Sequence, residues 1–463
     1  MCLDVHHLPV PLLTLCRRLR AAGGRPWLVG GSVRDLCLGI VPQDYDLEVF
    51  GLSEAQLTRA LAAVGRVERC GKSFGVFKCW HRGHAFDVSL PRTERKTGSG
   101  HRGFAVQPDP AIDEKTASLR RDFTINAMML DPTSGRLLDF HDGLRDLREH
   151  RLRHVSAAFV EDPLRPLRAM QFAARFQLTL APDTARLCAE MLSEADSLPV
   201  ARIWQEWRKW ALAPHPSLGL RALRDSAWLQ LYPELMALVD CPQDPRWHPE
   251  GDVWTHTCQA VDVAARLATE HGIAEETRIT LLFAELCHDL GKPQTTYREH
   301  DGRIRSPGHA QAAAPLVARL FARIGVPRAF HAPVRALVAE HMCHLHGAPT
   351  PRAVRRLAHR LQPASIELWA LLVEADASGR HPAPPSNPAA VWLEQAHTLA
   401  HARQPPKPIV TGKLLISLGM SPGPAFGRII HKAYEAQLDG DITDKASARR
   451  WLQRTGALPS APD

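Results

Sequence analysis

Residues 27–35 read Trp-Leu-Val-Gly-Gly-Ser-Val-Arg-Asp, an apolar run followed by a glycine pair and polar residues. This order predicts a strand, a tight turn and a helix. Because glycine has no Cβ, the backbone amides of Gly30 and Gly31 can approach a ligand closely, and the N-terminus of the following helix favours phosphate. Arg34, one turn onward, adds a guanidinium with parallel donors. The stretch predicts a phosphate site at Gly31 and Arg34, although such a turn also occurs without a ligand.

Three aspartates accompany this turn. Asp44 and Asp46 form an Asp-Tyr-Asp triplet before an apolar run, and Asp87 lies within residues 84–90, a second strand-like run. If these runs are strands, side chains two residues apart point to one side of the sheet. Carboxylates this close repel each other unless a cation lies between them, and Mg²⁺ prefers oxygen ligands. We therefore predict Asp44, Asp46 and Asp87 as catalytic residues that hold Mg²⁺, which would activate a hydroxyl and stabilise a leaving pyrophosphate.

A second set of metal-ligating residues lies downstream. His288 and Asp289 are adjacent in Leu-Cys-His-Asp-Leu-Gly-Lys, with His256 upstream and Asp376 downstream. Imidazole and carboxylate ligands suit a divalent transition metal, and such a metal can generate hydroxide for phosphoester hydrolysis. We predict a metal site from these four residues, with two further histidines as ligands for a second metal. Those histidines are His309 and His341. His344 and His346, near Cys343, are interpreted as surface histidines.

Composition narrows the class of protein. The chain has 463 residues, of which 45% are hydrophobic and 23% charged, which excludes a mostly disordered, collagen-like or coiled-coil chain. Lys and Arg total 57 against 49 Asp and Glu, a net charge of +8 that suits a polyanionic partner. Ten cysteines without a CxxC pair indicate reduced thiols and argue against a zinc ribbon. The absence of a long apolar run, and arginines that follow the N-terminal apolar run, predict a cytoplasmic protein without a membrane span.

The pattern along the chain predicts several domains. Short β-like runs alternate with helical stretches in residues 1–150, which indicates an α/β (α+β) head. Helical spacing continues through a neck at 151–240 and a His-rich domain at 241–380. A proline-dense stretch at 381–388 then opens a linker and a helical tail, together 381–463. We thus predict a multidomain protein with an α/β head followed by an all-α neck, metal-binding domain and tail.

Further motifs follow the first two in a fixed order. The chain has a basic Gly-containing loop, an Arg-Arg-Asp motif, an Asp-Phe-His-Asp-Gly motif and a Glu-Asp-x-x-Arg motif, at 92–100, 120–127, 139–143 and 161–168. Together with Gly-Gly-Ser-Val-Arg-Asp and Asp-Tyr-Asp, they resemble the class II tRNA nucleotidyltransferase and bacterial poly(A) polymerase family of the DNA polymerase β superfamily. The downstream His and Asp set resembles the HD phosphohydrolase superfamily. The resemblance implies a polymerase β-like head and an HD domain.

The resemblance also assigns roles to individual residues. Arg121 and Asp122 would hold the sugar of an incoming nucleotide, and Arg168 its triphosphate. Asp162 and Arg165, three residues apart and hence on one side of a helix, would present an acceptor and a donor to the edge of the base. These residues, with Gly31, Arg34 and Gln171, form the predicted nucleotide-binding set.

One residue departs from the family pattern. Members of the family often carry a further arginine one turn after Arg168, reading RxxRF, whereas this chain reads Arg168-Ala-Met-Gln-Phe172. Gln171 can form a hydrogen bond but brings no charge to a triphosphate. The substitution puts the nucleotide-binding set in question at this position and is compatible with a subgroup of narrower activity.

The resemblance implies template-independent addition of CCA to the tRNA 3′ end from CTP and ATP, with HD-domain phosphatase and 2′,3′-cyclic phosphodiesterase activity. Three alternatives stay open: A-only or CC-only addition, poly(A) synthesis, and an HD phosphohydrolase whose head only binds RNA. In the neck, Trp204, Trp207 and Arg208 belong either to the nucleotide pocket or to the helical core. The tail contacts tRNA or packs on the protein. The sequence leaves the oligomeric state open.

Overall fold

The computed structural model describes residues 3–70, 76–96, 104–109 and 111–458. It divides into two compact units, here called the N-terminal unit (Met1–Leu231) and the C-terminal unit (Tyr232–Asp463). The division falls inside the segment predicted as the neck, and the four-part domain organisation stays a prediction. Of the predicted basic loop at 92–100, residues 97–100 lie outside the described part of the chain.

The N-terminal unit contains a mixed α/β region followed by helices. Its elements are α1 (Val10–Ala21), β1 (Arg25–Val29), α2 (Gly31–Cys37), β2 (Asp46–Phe50), α3 (Glu54–Ala62), β3 (Arg66–Cys70), β4 (Val76–His81), β5 (His84–Ser89), β6 (Arg92–Lys96), β7 (Phe104–Pro108), α4 (Glu114–Ser118), β8 (Met129–Leu130), β9 (Leu137–Leu138), α5 (Gly143–Arg148), β10 (Arg151–Leu152), α6 (Arg165–Phe176), β11 (Thr179–Leu180), α7 (Pro182–Glu190), α8 (Val200–Ala211) and α9 (Pro216–Asp225). The strand, turn and helix predicted from residues 27–35 are β1, Gly30 and α2.

In the described part of this unit, a seven-stranded sheet has the order β3-β4-β5-β2-β1-β8-β9. The central strand β2 is antiparallel to β1 and parallel to β5. This register sets Asp46 opposite Val29 on one side and opposite Asp87 on the other. The sheet therefore brings two of the three predicted carboxylates to adjacent positions, next to the turn that follows β1.

The helices after the sheet pack on one another through α6. A Cβ at Gly219 in α9 would lie 2.7 Å from the carbonyl oxygen of Met170 in α6, so a glycine is needed for this close approach. Trp207 and Trp210 of α8 are fully buried, with ring centroids 5.1 Å apart. The indole of Trp210 donates to the carbonyl of Pro216 at 2.8 Å. Trp207 thus belongs to the helical core, which was one of its two interpretations.

The C-terminal unit is helical, apart from one short hairpin in its described residues. Its elements are α10 (Pro233–Met236), α11 (Val253–Glu270), α12 (Glu275–Cys287), α13 (Lys292–Thr295), β12 (Tyr297–Arg298), β13 (Ile304–Arg305), α14 (His309–Ile324), α15 (His331–Glu340), α16 (Pro351–Arg360), α17 (Ile366–Ser378), α18 (Ala390–Thr398), α19 (Gly412–Ser417), α20 (Ala425–Asp439) and α21 (Lys445–Arg454). No described helix is both long enough and apolar enough to cross a membrane.

The tail, α19 to α21, has its own apolar cluster, which includes Leu415, Ala433 and Leu452. Gln437 of α20 donates to the carbonyl of Lys407 at 2.8 Å and accepts from the amide of Ile409 at 2.9 Å. These bonds tie the start of the tail to its longest helix. They support the packing interpretation of this region, and the predicted tRNA contact stays a prediction.

The mixed head followed by helical regions confirms the predicted fold class. Two pairs of two-residue strands, β10–β11 and β12–β13, lie in the parts predicted to be all helical. The proline-dense stretch at 381–388 forms no helix, as its composition predicts.

Candidate active site and metal centre

The carboxylates of the head lie at one end of β2 and β5. Asp46 opens β2, Asp87 is its register partner on β5, and Asp44 is exposed in the bend before β2. Burial, together with the negative charges of Asp87 and Asp44, raises the pKa of Asp46. A cation between these side chains would relieve this repulsion. The residues fit a hard divalent ion such as Mg²⁺, and their catalytic role stays a prediction.

Glu48 is a member of this region that sequence reasoning missed. It lies two residues after Asp46, on the same face of β2, and its side chain is completely buried. Arg120 and Arg121 each donate to one of its carboxylate oxygens, at 2.6 Å and 3.0 Å. Burial raises the pKa of Glu48, but the two guanidiniums outweigh burial and hold that pKa below its ordinary value. A charged residue at an inward position of an apolar strand is the signal that could have found it.

Arg121 also lies close to the turn after β1. Gly30 has φ +71°, and a Cβ at this position would lie 3.3 Å from Nη1 of Arg121 and 3.7 Å from Oδ2 of Asp46. Glycine therefore serves both the backbone conformation and the close approach. Arg34 is buried, donates to Oδ1 of Asn126 at 2.7 Å, and lies 4.0 Å above the ring of Phe176. The guanidinium predicted at the phosphate turn is thus held in a fixed position.

Asp122 and Arg168 form an ion pair inside the unit. Nε and Nη2 of Arg168 donate to Oδ2 of Asp122 at 2.8 Å and 2.6 Å. Oδ1 of Asp122 accepts from Asn126 at 3.0 Å and from the amide of Phe123 at 2.8 Å. Burial opposes ionisation, yet Arg168 and Asn126 hold the pKa of Asp122 below its ordinary value. In this structure Asp122 orients Arg168, and its predicted contact with a sugar stays a prediction.

Asp162 and Arg165 do not share a helix, contrary to the geometry expected from their spacing. Asp162 has extended backbone because Pro163 follows it, and α6 begins at Arg165. Asp162 accepts from Arg202 at 3.2 Å. The guanidinium of Arg165 is buried and donates to the carbonyl oxygens of Ala158 and Arg120, at 2.8 Å and 2.7 Å. Both side chains still line the same cavity, and base reading stays a prediction for both.

That cavity has a volume of about 640 Å³ and is strongly basic. Its described lining includes the turn at Gly30 and Gly31, Asp46, Gln171, eight arginines and one lysine; these basic residues are Arg34, Arg92, Arg120, Arg121, Arg165, Arg168, Arg175, Arg202 and Lys209. All eight predicted nucleotide-binding residues thus line one space of a size that suits a nucleotide. Sequence reasoning missed Arg92, Arg175, Arg202 and Lys209. The helical spacing from Arg168 to Arg175 was a signal for Arg175.

The C-terminal unit gathers the second predicted set. His288 and Asp289 follow the end of α12, His256 lies on α11 and Asp376 on α17. Nε2 of His256 is 3.1 Å from Oδ1 of Asp376, and Nε2 of His288 is 3.1 Å from Oδ2 of Asp289. The two pairs are adjacent, since Nε2 of His288 lies 3.9 Å from Oδ1 of Asp376. The structure therefore brings all four predicted residues together.

His309 and His341 complete this cluster. Nε2 of His309 lies 3.1 Å from Nε2 of His341 and 3.5 Å from Oδ1 of Asp289. A Cβ at Gly291 would overlap the carbonyl oxygen of His309, so this glycine lets α14 approach the end of α12. Among the described residues, two potential metal-binding groups share Asp289: one with His256 and His288, and one with His309 and His341.

Backbone and carboxylate contacts hold the rings of these histidines. Nδ1 of His288, His309 and His341 each lies 2.7 Å from a backbone carbonyl oxygen. Nδ1 of His256 lies 2.9 Å from Oε1 of Glu250. Each of these contacts favours a proton on Nδ1, and Nε2 faces the cluster as the ligand atom. Sequence reasoning missed Glu250, which no motif marks.

The charges and burial also suit a metal. Nε2 of His288 is buried, lies 3.1 Å from Oδ2 of Asp289, and forms no well-aligned hydrogen bond among the described residues. Burial lowers the pKa of His288, but Asp289 and Glu285 outweigh burial and raise it to about 10. Burial and the charge of His288 lower the pKa of His341 to about 3. His341 is thus a neutral ligand, and the nearby carboxylates attract positive charge. Both properties are typical of a divalent metal centre.

A cavity of about 630 Å³ opens at this cluster and includes Asp289, His309, His341 and Asp376 in its described lining. Lys292 contributes a positive charge, since its Nζ lies 2.7 Å from Oδ2 of Asp289. His344 also lines this space, so it is not a plain surface histidine, whereas the side chain of His346 lies outside the described part of the chain.

Comparisons with known proteins agree with this arrangement. Three family models match the chain: the poly A polymerase head domain at residues 26–153, the probable RNA and SrmB-binding site of polymerase A at 177–238, and the HD domain at 253–377. These matches define the class, a nucleotidyltransferase head combined with an HD domain.

Relatives over most of the chain are more specific. The multifunctional CCA protein of Xanthomonas campestris pv. campestris (strain B100) is 39% identical over 366 residues, which cover 76% of this chain and 85% of that protein. The multifunctional CCA protein of Stenotrophomonas maltophilia (strain R551-3) is 38% identical, with coverage of 76% and 86%. This chain belongs to the family of the multifunctional CCA proteins. The membership confirms the resemblance and the prediction of an enzyme of the tRNA nucleotidyltransferase class.

Solved structures share the fold. A CCA-adding enzyme with CTP superposes with a TM-score of 0.63 at 19% identity and covers 97% of each chain. The Thermotoga maritima CCA-adding enzyme complexed with tRNA has a TM-score of 0.61 at 19% identity, again with 97% of each chain covered.

Proposed function

We propose that the protein adds CCA to the 3′ end of tRNA without a nucleic-acid template, with CTP and ATP as donors, in the cytoplasm. The basic cavity of the N-terminal unit is the observation that carries this proposal. It joins the glycine turn, Asp46 and arginines from several distant segments in one space of about 640 Å³. The family membership supports the tRNA substrate, and the net charge of +8 suits a polyanion.

The residues present define a chemical mechanism. Asp44, Asp46 and Asp87 would hold Mg²⁺, which supplies activation of the tRNA 3′-hydroxyl and charge compensation of the leaving pyrophosphate. Gly31 offers its amide at the start of α2, and Arg34 and Arg168 donate to phosphate oxygens. Their ion pairs with Asp35 and Asp122 fix their positions before a nucleotide arrives.

Selection of the nucleotide falls to another part of the cavity. In the proposal Arg121 and Asp122 bind the sugar, and Asp162 and Arg165 face the edge of the base. Because Asp162 precedes α6 and Arg165 opens it, a small shift of the segment before α6 would change their separation. Such a shift would let one pair of side chains accept first cytosine and then adenine.

We also propose that the HD cluster hydrolyses phosphoesters, with 2′,3′-cyclic phosphodiesterase and phosphatase activity on RNA-like ends. His256, His288, Asp289 and Asp376 would hold a divalent transition metal, which supplies a hydroxide nucleophile, with His309 and His341 beside a second ion. Lys292 lies 2.7 Å from Asp289 and is placed to bind a phosphate oxygen.

Extension of defined tRNAs tests the first activity. Transcripts that end before CCA, after C and after CC are each offered CTP, ATP or both with Mg²⁺. Growth of all three to CCA supports the proposal. Extension of the CC-ended tRNA alone, or a stop after CC, would indicate a partial enzyme, and a long A ladder would indicate a poly(A) polymerase.

A parallel assay tests the HD activity on 2′,3′-cyclic AMP, with added Ni²⁺, Co²⁺ or Mn²⁺. Hydrolysis that is lost in Asp289→Ala supports the proposal, whereas full activity of this variant would remove it. Nucleotide incorporation that survives in Asp44→Ala would show that the head assignment is wrong.

A further inference from the structure

The face of α6 that lines the basic cavity carries three polar side chains in helical register. Arg168, Gln171 and Arg175 follow one another at spacings of three and four residues, so they lie on one side of the helix. All three line the cavity. Gln171 stands where the family pattern leads one to expect an arginine, and Arg175 lies one turn further on.

Most cations of the cavity already have a carboxylate partner. Arg168 is paired with Asp122 at 2.6 Å, and the other such pairs, with separations of 2.6 to 3.2 Å, are Arg34–Asp35, Arg120–Glu48, Arg121–Glu48, Arg202–Asp162 and Lys209–Glu206. A paired cation attracts a phosphate less strongly than an unpaired one, because the field of its carboxylate cancels much of its own.

Arg175 differs from these residues. Among the described residues its guanidinium makes no ion pair, and Nη1 donates to Oε1 of Gln171 at 3.2 Å. Gln171 is 1% exposed, so the acceptor is fixed in the core, whereas Arg175 itself is exposed to the cavity. A neutral amide can hold the guanidinium without cancelling its charge. A carboxylate at position 171 would cancel much of that charge, and an arginine at position 171 would repel the guanidinium.

We propose that Arg175, positioned by Gln171, binds the triphosphate of the incoming nucleotide. The charge that position 171 lacks is thereby supplied one turn further along α6. This inference rests on the proposed function, since it assigns a further binding residue to the same cavity. Arg175 contacts the phosphates, and Gln171 acts through Arg175 as a positioning residue.

Binding of inorganic tripolyphosphate tests the inference without any turnover. Titration calorimetry of the full chain, with and without saturating CTP, measures the tripolyphosphate that CTP displaces. Because the lost contact is a hydrogen bond to a charged group, Arg175→Ala is expected to weaken this binding about tenfold or more. Arg175→Lys keeps the charge and is expected to lose about threefold, since a single ammonium cannot reproduce the guanidinium fork.

Substitution of Gln171 separates positioning from a purely structural role. Gln171→Glu has nearly the same shape but places a carboxylate on Arg175, and it is expected to weaken tripolyphosphate binding about as much as Arg175→Ala. The effects of Gln171→Glu and Arg175→Ala are expected to be strongly non-additive in the double variant, because one residue acts through the other. KM for both CTP and ATP is expected to rise as these affinities fall, with little change in kcat.

Arg186→Ala is the matched control. Arg186 is exposed on α7, forms a local ion pair with Asp183, and lies outside the cavity lining. Its removal lowers the net charge by the same amount and is expected to leave tripolyphosphate binding unchanged.

The outcomes separate the inference from the proposed function. If Arg175→Ala and Gln171→Glu both bind tripolyphosphate as tightly as the wild type, the inference is overturned, even if the wild type extends tRNA. If the wild type binds CTP and tripolyphosphate but extends no tRNA, the proposed function fails while the binding data still decide the role of Arg175. Should Arg175→Ala fold poorly, Arg175→Lys and Gln171→Glu, which retain the bulk of the side chains, decide the same question.

Discussion

In the C-terminal unit, the ligand atoms of His256, His288, Asp289, His309, His341 and Asp376 lie between 3.1 and 3.9 Å from their neighbours, and five of these six residues are buried. In the N-terminal unit, Asp44 is exposed, and the predicted metal ligands form no comparably tight group among the described residues. Its buried charges are instead ion pairs such as Glu48 with Arg120 and Arg121.

The contrast shows two ways to prepare a site for phosphate chemistry. The HD cluster is fixed by burial and by backbone contacts to Nδ1, so a metal meets ligands that are already in place. In the head, a cluster of cations is held in position by the carboxylates of the protein itself, and the final arrangement depends on what the metal and the nucleotide add. We therefore expect changes in the HD cluster to act through metal affinity, and changes in the head to act through nucleotide binding and stability.

The largest expected effect is the loss of one activity without the other. Asp46→Asn removes a negative charge from the predicted Mg²⁺ site, and metal stabilisation of this kind is worth several kcal/mol, so nucleotide incorporation should fall about 10³-fold or more. Hydrolysis of 2′,3′-cyclic AMP should be unchanged. Parallel assays of both activities on one preparation give the measurement. Asp289→Asn should show the reverse pattern, and a loss of both activities in either variant would contradict the independence of the two sites.

The next effect concerns stability and pH. Glu48→Gln leaves two partly buried arginines without their carboxylate, which should cost about 3 kcal/mol of unfolding free energy at pH 7. The pKa of Glu48 is held below its ordinary value of 4.5 in the folded state. Its charge therefore stabilises the fold above pH 4.5, and this contribution is lost as the pH falls through the folded-state pKa. Urea unfolding of the full chain should show a difference between wild type and variant that shrinks towards low pH.

Glu54→Gln provides the comparison for this prediction. Glu54 forms an exposed ion pair with Arg69 at 3.0 Å, and such pairs contribute about 0–1 kcal/mol. A difference for Glu48→Gln that is as small as this, or that grows as the pH falls, would contradict the stabilising role of Glu48.

Glu48 also illustrates what the sequence could and could not predict. The strand, turn and helix around Gly30 were predicted because that motif has a local geometry. The grouping of Asp46 with Asp87, and of the HD residues with one another, was predicted from the ligands that a shared metal needs and from the family resemblance. The partners of Glu48 are 72 and 73 residues away along the chain. Only the folded sheet brings them together, so no local pattern marks them.

Two other features escaped prediction for different physical reasons. Asp162 and Arg165 have the spacing of a helical pair, but Pro163 keeps Asp162 extended and outside α6. The role of Glu250 depends on the orientation of the His256 ring, which the sequence does not encode locally. Side-chain orientation and the exact start of a helix thus set the limit of the sequence analysis.

A third prediction addresses how the HD cluster is fixed. Glu250 accepts from His256 and also from His248, both at 2.9 Å. Glu250→Gln keeps a polar side chain but removes the charge that favours Nδ1-protonated His256, so metal affinity should fall about 10- to 100-fold. Titration with Co²⁺ or Mn²⁺ in competition with a chelator gives the affinity. Glu270 is exposed at the end of α11, the helix that carries His256, and Glu270→Gln should bind metal like the wild type. Equal affinities for the two variants would show that Glu250 does not orient His256.

The smallest expected effect is a gain. Glu206 is buried on α8, and its Oε1 lies 2.7 Å from Nζ of Lys209, a cation that lines the basic cavity of the N-terminal unit. If the internal carboxylates limit the attraction of this cavity for phosphate, Glu206→Gln should release part of the charge of Lys209. Pairs of this partly exposed kind are worth about 0.2–1 kcal/mol, so KM for both CTP and ATP should fall by about twofold. Glu190→Gln, an exposed position at the end of α7 outside the cavity, removes the same charge and should leave KM unchanged. A rise in KM for Glu206→Gln would mean that Glu206 contributes more by positioning Lys209 than it costs by neutralising the charge of Lys209. The basic cavity would then resemble the HD cluster, because both would depend on fixed geometry.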